Sequence, residues 1–286
     1  MPLLIHRQEF EGYKVLSQIR ENCYSETYSV KDKDGKLFFL KLYIKDKLPP
    51  RQVDFDGEVH CIKLYRYLYA DAIPRFITSS QVQIEGVGEC FYVVMEYYEG
   101  ELLEEKLNRE RSLPVREAVR IFKDIVQGLD YLHSHYPPII HNDITPRNIL
   151  LMNNGRVKFI DMGHLSYVKN NPTRPPFDMD DLDPRYHFIE TAFQRFNENT
   201  DIFSATAVLY HMLFGVAPWN PKVPENVEWK EKICAVLKQR IDGGKLDLSS
   251  VVIPDKLKTI IRKGLALSRG SRYDYTQQLV VVLKRL

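Results

Sequence analysis

The sequence predicts an α+β protein, sheet-rich in its first hundred residues and helical afterwards. Two features carry this. Before Gly100 the apolar residues fall in short β-branched and aromatic runs separated by turn residues; beyond it they recur at helical spacing. The 286 residues are 44% hydrophobic and 12% aromatic, enough apolar surface for one large domain or two lobes with real cores.

Phe10–Ile19 and Glu26–Lys31 read as strands, and Lys33-Asp34-Gly35-Lys36 as a hairpin turn, because Asp-Gly supplies the positive φ such a turn needs. Leu37–Tyr43 follows as an almost continuous apolar strand, so both its faces are expected to be buried, with Lys41 as its one charge. A buried lysine is costly without a partner, although a strand lysine can also snorkel. Pro49-Pro50 breaks the chain. Val59, Ile62, Tyr65 and Tyr69 then recur at three- and four-residue steps, which predicts a helix over Val53–Tyr69 with Glu58 in its first turns. Phe76–Gln83 and Cys90–Tyr97 read as two more strands of an antiparallel sheet, turning at Gly86-Val87-Gly88.

The second part opens with a long amphipathic helix over Pro114–His135, whose buried stripe runs from Val115 to Leu132. Ile149–Met152 and Val157–Ile160 form a short hairpin across Asn153-Asn154-Gly155. Residues 163–187 are polar, proline-rich and aperiodic, as functional or mobile segments often are. Asp201–Phe214 is almost wholly apolar and reads as the central helix of the second lobe, with further helices over Val227–Arg240, Pro254–Leu267 and Tyr275–Leu286.

Composition narrows the function. Forty basic and 38 acidic residues leave a net charge of +2, which argues against nucleic-acid and membrane-surface partners. The four cysteines form no C-x-x-C pair, so a zinc knuckle or redox motif is not expected. The start MPLLIHRQEF has no apolar core of signal-peptide type, and no stretch is long enough to span a bilayer. A cytoplasmic location is the resulting expectation.

The chemistry concentrates between residues 139 and 163. His141-Asn142-Asp143-Ile144-Thr145-Pro146-Arg147-Asn148 precedes the hairpin, and Asp161-Met162-Gly163 follows it. A hairpin brings its ends together, so Asn148 and Asp161 should lie at neighbouring mouths. Hard oxygen ligands so placed suit Mg²⁺, which takes one or two protein ligands plus substrate phosphates. Asp143, just off that pair, is placed to accept a hydroxyl proton. Taken singly, each Asp reads as well as a turn or helix cap; the ordered set is more specific than any member.

That set resembles the protein-kinase superfamily. His141-Asn142-Asp143 with Asn148 is similar to H-R-D-x-x-x-x-N, and Asp161-Met162-Gly163 to D-F-G. Phe38-Phe39-Leu40-Lys41 is similar to the V-A-I-K strand, and Glu58 stands where the partner glutamate of the following helix is expected. Phe188-Ile189-Glu190 stands at A-P-E, 29 residues after Asp161; Asp201 opens a helix like the family's D-V-W-S-x-G element; and Arg272 matches the late arginine that pairs with the A-P-E glutamate. The likeness runs over residues 10–286. It implies a two-lobed kinase-like fold, with an N-lobe over 1–97 of antiparallel sheet plus the Glu58 helix, and a mainly helical C-lobe over 98–286. It also implies ATP and Mg²⁺ as cofactors. Lys41 would hold the α/β-phosphates and pair with Glu58, Asn148 and Asp161 would hold the metal, and Asp143 would orient or deprotonate the acceptor hydroxyl. Met95, Glu96, Tyr97 and Tyr98 would form the linker region along adenine, with Phe39 and Asn22 also facing the nucleotide.

Three departures qualify the match. Arg20-Glu21-Asn22-Cys23-Tyr24-Ser25-Glu26-Thr27 stands at the glycine-rich loop with all three glycines replaced, by Arg20, Asn22 and Ser25. Side chains there are expected to crowd ATP, Glu21 and Glu26 to repel it, and Asn22 to be the mildest change because Asn tolerates left-handed φ. Phe39 replaces a small alanine that packs on adenine. Asn142 replaces the arginine that receives an activation-loop phosphate. Thr145 stands for the lysine of Ser/Thr kinases, Pro146 keeps their pattern and Arg147 resembles tyrosine kinases; Met162 for Phe is a mild change. Two functions follow from the resemblance: a protein kinase acting on protein hydroxyls, mainly Ser/Thr, or a pseudokinase that binds a regulatory protein partner. A small-molecule phosphotransferase shares the H-x-D…N…D core but is disfavoured by the Glu190, Asp201 and Arg272 elements.

Overall fold

The structure is a computed structural model that describes residues 2–4, 9–49, 52–54, 57–168, 183–188, 197–220, 224, 227–242 and 246–286. It belongs to the α+β class and divides into two compact units, Met1–Glu99 and Gly100–Leu286.

In the first unit six strands form one antiparallel sheet in the order β1-β2-β3-β4-β6-β5: β1 Glu9–Phe10, β2 Tyr13–Glu21, β3 Ser25–Lys31, β4 Leu37–Ile44, β5 Phe76–Ile84 and β6 Gly88–Glu96. The β3–β4 turn is made by Gly35 at φ +82° and by Asp32, whose carboxylate accepts the N–H groups of Asp34 and Lys36. Because side chains alternate across a strand, the register of β4 sorts the sheet into two faces. Phe38, Leu40, Leu42 and Ile44 pack with Tyr28, Val30, Cys90, Tyr92 and Val94 under Leu4 and Phe10. Phe39, Lys41 and Tyr43 occupy the other face.

The helix of this unit, α1, spans only His60–Tyr65. The expected Val53–Tyr69 helix is cut short for a local reason. Gly57 sits at φ +83°, a conformation no α-helix contains, and Val53 bridges Val59 in antiparallel fashion. Glu58 therefore lies before the helix and not in its first turns. At the far end Tyr69 is 78% exposed, so its place in the predicted apolar stripe was accidental.

The second unit contains α2 Leu103–Glu110, α3 Val115–His133, α4 Glu198–Phe214, α5 Trp229–Ile241, α6 Asp255–Gly264 and α7 Thr276–Leu283. Helix α2 was absent from the sequence expectation: its eight residues carry five charges, and only Leu103 and Leu107 are buried. Two small sheets accompany the helices, β7 Gly100–Leu102 with β9 Ile149–Met152 and β10 Val157–Phe159, and β8 Ile139–Ile140 with β11 Ser166–Tyr167. Every residue of α4 from Asn199 to Tyr210 is buried, so this helix is the core around which α3, α6 and α7 pack. Its serine and threonine hydroxyls bond back along the helix, as where Thr206 Oγ1 donates to Ile202 O at 2.7 Å. Residues 169–182 and 189–196 lie outside the described set, and with them most of the aperiodic stretch and the expected Glu190 partner of Arg272.

Helices α4 and α6 approach so closely that a Cβ on Gly264 would fall 2.3 Å from Thr206 Oγ1. Gly264→Ala is therefore expected to lower stability by about 1–3 kcal/mol through overpacking. Gly270→Ala meets nothing within 4 Å and should stay within about 0.5 kcal/mol of wild type. Urea unfolding of the two variants checks this; equal midpoints would mean that the two helices are free to separate.

Candidate active site

The loop after β8 is hung from one carboxylate. Asp201 of α4 is fully buried and accepts the backbone N–H of His141 at 2.7 Å and of Asn142 at 2.9 Å. His133 Nε2 lies 3.0 Å from the same carboxylate, and His133 Nδ1 contacts the Thr276 hydroxyl. The loop is thereby tied to α3, α4 and α7. Asn142 takes the left-handed conformation at φ +65°, which an asparagine adopts more readily than most residues. The tolerance expected to matter at Asn22 operates here instead; Asn22 is not among the positive-φ residues. The Asn142 carboxamide donates to His164 O at 2.9 Å, Ser166 Oγ at 2.7 Å and Ile140 O at 3.3 Å, which stitches the loop to β11.

Asp143 is 1% exposed. Asn148 Nδ2 donates to its Oδ2 at 2.6 Å and to its backbone oxygen at 3.0 Å. Three cationic or potentially cationic groups surround the carboxylate, each at 3.5 Å: His164 Nδ1 and Arg147 Nη2 at Oδ2, and His187 Nε2 at Oδ1. Burial by itself would raise the Asp143 pKa, but His164, Arg147 and His187 outweigh it and hold the carboxyl well below the usual range. His141 behaves oppositely: burial lowers its pKa, and its ring packs edge-on against Phe159 with centroids 5.0 Å apart.

The hairpin places the two expected metal ligands at facing strand ends. Ile149 pairs with Phe159, and Ile160 N–H donates to Asn148 O at 3.0 Å. Asp161 follows directly, its Oδ1 accepting the Gly163 N–H at 2.9 Å. Because Asn148 turns its NH₂ group to Asp143, its carbonyl oxygen lies on the opposite side of the amide. Among the described residues no group of three or more His, Cys, Asp or Glu side chains could hold a metal. A pair of hard oxygen donors suits a cation that draws its other ligands from phosphates and water, as Mg²⁺ does.

Three residues of this unit carry no motif and escaped the sequence analysis. His164 and His187 reach Asp143 only through folding. His187 also meets Asp183 O at 2.7 Å and Asn142 O at 2.9 Å, so it joins segment 183–188 to the loop. Arg240 of α5 donates to Pro184 O at 2.7 Å and His187 O at 3.0 Å while stacking on Trp219 and Phe203. Burial, with Arg272 nearby, pushes its pKa down to about 9.

In the first unit Lys41 is 6% exposed, and its ammonium lies 5.2 Å from the Tyr43 ring centroid. Phe39, on the same face, packs against Tyr97 with ring centroids 4.6 Å apart. Met95 is buried opposite Phe39 in β6, and the Glu96 carboxylate accepts the Tyr98 hydroxyl at 2.9 Å. Burial and that bond raise the Tyr98 pKa to about 12. Glu58 stands 3.6 Å from Arg66, its side chain 45% exposed. The Glu26 carboxylate, expected to repel ATP, does not lie on the Lys41 face of the sheet. It lies on the opposite face, 8% exposed, accepting the Leu3 N–H at 2.9 Å and the Tyr28 hydroxyl. Asn22 Oδ1 accepts hydrogen bonds from its own turn.

A family model described as protein kinase domain matches residues 13–281. The chain belongs to the protein kinase family. Over 278 residues, 96% of its length, this kinase-family chain is 25% identical to a probable serine/threonine-protein kinase of Clostridium perfringens. It is 25% identical over 285 residues (94%) to calcium-dependent protein kinase 4 of Plasmodium falciparum, and 28% identical over 215 residues (60%) to the serine/threonine-protein kinase PrkC of Bacillus subtilis. It spans 38%, 48% and 32% of those three proteins. Among the described residues no helix is long and apolar enough to cross a membrane.

Segment 183–188 gives this kinase-family chain a pH dependence. Tyr186 donates its hydroxyl to His211 Nδ1 at 2.6 Å, and burial pushes the His211 pKa down from 6.5 to about 4. The folded state thus refuses a proton that the unfolded chain accepts. The contribution is complete above pH 6.5 and is lost as pH falls toward 4, by up to about 3 kcal/mol. His211→Gln should flatten the stability profile in that window. Urea unfolding across it checks this, with identical wild-type and variant slopes counting against the assignment.

Proposed function

We propose that this chain is a kinase domain that transfers the γ-phosphate of ATP to a protein hydroxyl, mainly Ser or Thr. The observation that carries the reading is the Asp143 carboxylate. It is held by Asn148, kept ionised by three neighbouring groups, and set beside the hairpin that brings Asn148 to Asp161. Phosphoryl transfer asks the protein chiefly for positioning and charge neutralisation. Asp143 orients the acceptor hydroxyl and takes its proton. Lys41 binds the α/β-phosphates, with Glu58 as its partner. Asn148 and Asp161 hold Mg²⁺, which would offset the charge of the phosphates. Met95, Glu96 and Tyr97 border the adenine. Arg240 and His187 keep segment 183–188 against the Asp143 loop, where a protein substrate is received.

A catalytically impaired kinase fold, acting through a regulatory protein partner, is the second reading. Two observations favour it: the Phe39–Tyr97 ring pair on the Lys41 face, and a nucleotide-side turn without glycine.

The readings separate on nucleotide affinity and phosphotransfer, measured on wild type and Asp143→Asn. The kinase reading expects transfer by wild type and a loss of at least about 100-fold in Asp143→Asn, with ATP affinity kept. Asp161→Asn should remove the Mg²⁺ dependence of ATP binding. Transfer that persists in Asp143→Asn would dismiss the assigned role; binding of neither ATP nor Mg²⁺ would leave the second reading. Phe39→Ala, by withdrawing the ring from the nucleotide face, should tighten ATP by about tenfold, or 1.4 kcal/mol. Weaker binding in that variant would show that the phenyl ring supports the base.

A further inference from the structure

The tip between β2 and β3 is where a kinase glycine-rich loop lends backbone N–H groups to phosphates. Here those groups are already engaged. Asn22 Oδ1 accepts the Tyr24 N–H at 3.1 Å, the Ser25 N–H at 2.7 Å and the Ser25 hydroxyl at 3.0 Å. The turn is closed from the other side by Asn22 N–H donating to Ser25 O at 2.8 Å. Tyr24 and Ser25 are 3% and 2% exposed, and the Glu21–Glu26 strand pairing runs right up to the turn. No residue from Arg20 to Glu26 has positive φ, so the tip does not use the conformations for which glycine is selected.

One carbonyl oxygen thus takes the Tyr24 and Ser25 N–H groups together with the Ser25 hydroxyl. We propose that Asn22 is an affinity-determining residue, an internal surrogate for a nucleotide phosphate that keeps the Tyr24 and Ser25 amides from any bound nucleotide. The inference rests on the ATP-binding reading above. A phosphate oxygen is the stronger acceptor, because charge-assisted bonds are about twice as strong as neutral ones. To reach these amides, however, it must first expel the Asn22 oxygen, which gives up three hydrogen bonds at once. Glutamate repulsion is a smaller obstacle than the sequence suggested, since Glu26 is turned to the other face. The restriction at this tip is therefore one of occupied donors. ADP and ATP should be distinguished weakly, and the restriction should be removable by a single substitution.

The test uses the full chain as wild type, Asn22→Gly and Asn22→Asp. Adenosine, ADP and ATP affinities are measured with Mg²⁺, and amide hydrogen exchange is followed at Tyr24 and Ser25. In wild type both amides should be protected and unchanged by ATP, with ADP and ATP bound within about threefold of each other, under 1 kcal/mol. Asn22→Gly should release the two amides and tighten ATP by about tenfold with adenosine unchanged, and ATP should now protect them. Asn22→Asp keeps an acceptor, so its amides should stay protected and its ATP affinity should not rise. Fast exchange of these amides in wild type overturns the inference whatever binds. Wild type that binds ATP, with no gain in Asn22→Gly, overturns it while leaving the ATP reading intact. Failure of all three proteins to bind any of the three ligands overturns both.

Discussion

The second unit depends on the buried carboxylate of Asp201. It lies in the most enclosed helix and receives two consecutive backbone N–H groups, from His141 and Asn142, together with His133. A fully buried carboxylate is costly unless its oxygens are engaged, and here the engagement shapes the loop. Two successive amides can point at one carboxylate only if the chain bends sharply at that point. Asn142 supplies the bend in the left-handed region, and the bend delivers Asp143 to Asn148 and to the flanking His164, Arg147 and His187. Loss of the Asp201 anchor would release the whole chain of contacts, since each later one presupposes the loop conformation.

The same loop shows how a kinase-family fold can manage without the arginine that commonly follows the histidine. An arginine there brings a positive charge that needs an incoming phosphate. Asn142 brings no charge, and its NH₂ group is committed to Ile140, His164 and Ser166. The attachment to segment 183–188 is made instead by His187, through carbonyl oxygens on both sides of its ring, with Arg240 gripping the same segment from behind. The arrangement surrounds Asp143 with Asn148, Arg147, His164 and His187.

In the first unit the governing constraint is the alternation of side chains along β4. One face becomes a packed core closed by Leu4 and Phe10, and it removes Glu26 from the side that carries Lys41. The other face keeps Lys41, Phe39 and Tyr43. The Phe39 ring has a reason to be where it is, since Tyr97 packs against it. The turn ahead of β3 is likewise satisfied within itself. The two departures from the kinase pattern are thus built features of this sheet, each with a partner residue of its own.

Much of this was legible in the sequence, because it rests on local rules. Period-two and period-3.6 patterning located most strands and the long helices, turn residues located the hairpins, and short motifs singled out Lys41, Asp143, Asn148 and Asp161 as candidates. Patterning failed where a local break or a surface helix overrode it. Gly57 ended a helix that the apolar spacing favoured, and α2 formed from a charged segment with only two buried leucines. Only the tertiary structure decided that Glu26 faces away from Lys41, that Asn22 fills its own turn, and that His164, His187 and Arg240 converge around Asp143 and segment 183–188. Apart from the Asn22 turn, which is local, the residues in those groupings belong to different elements. Sequence spacing specifies which element a residue joins, whereas the direction of its side chain and the neighbours it meets are set by how those elements pack.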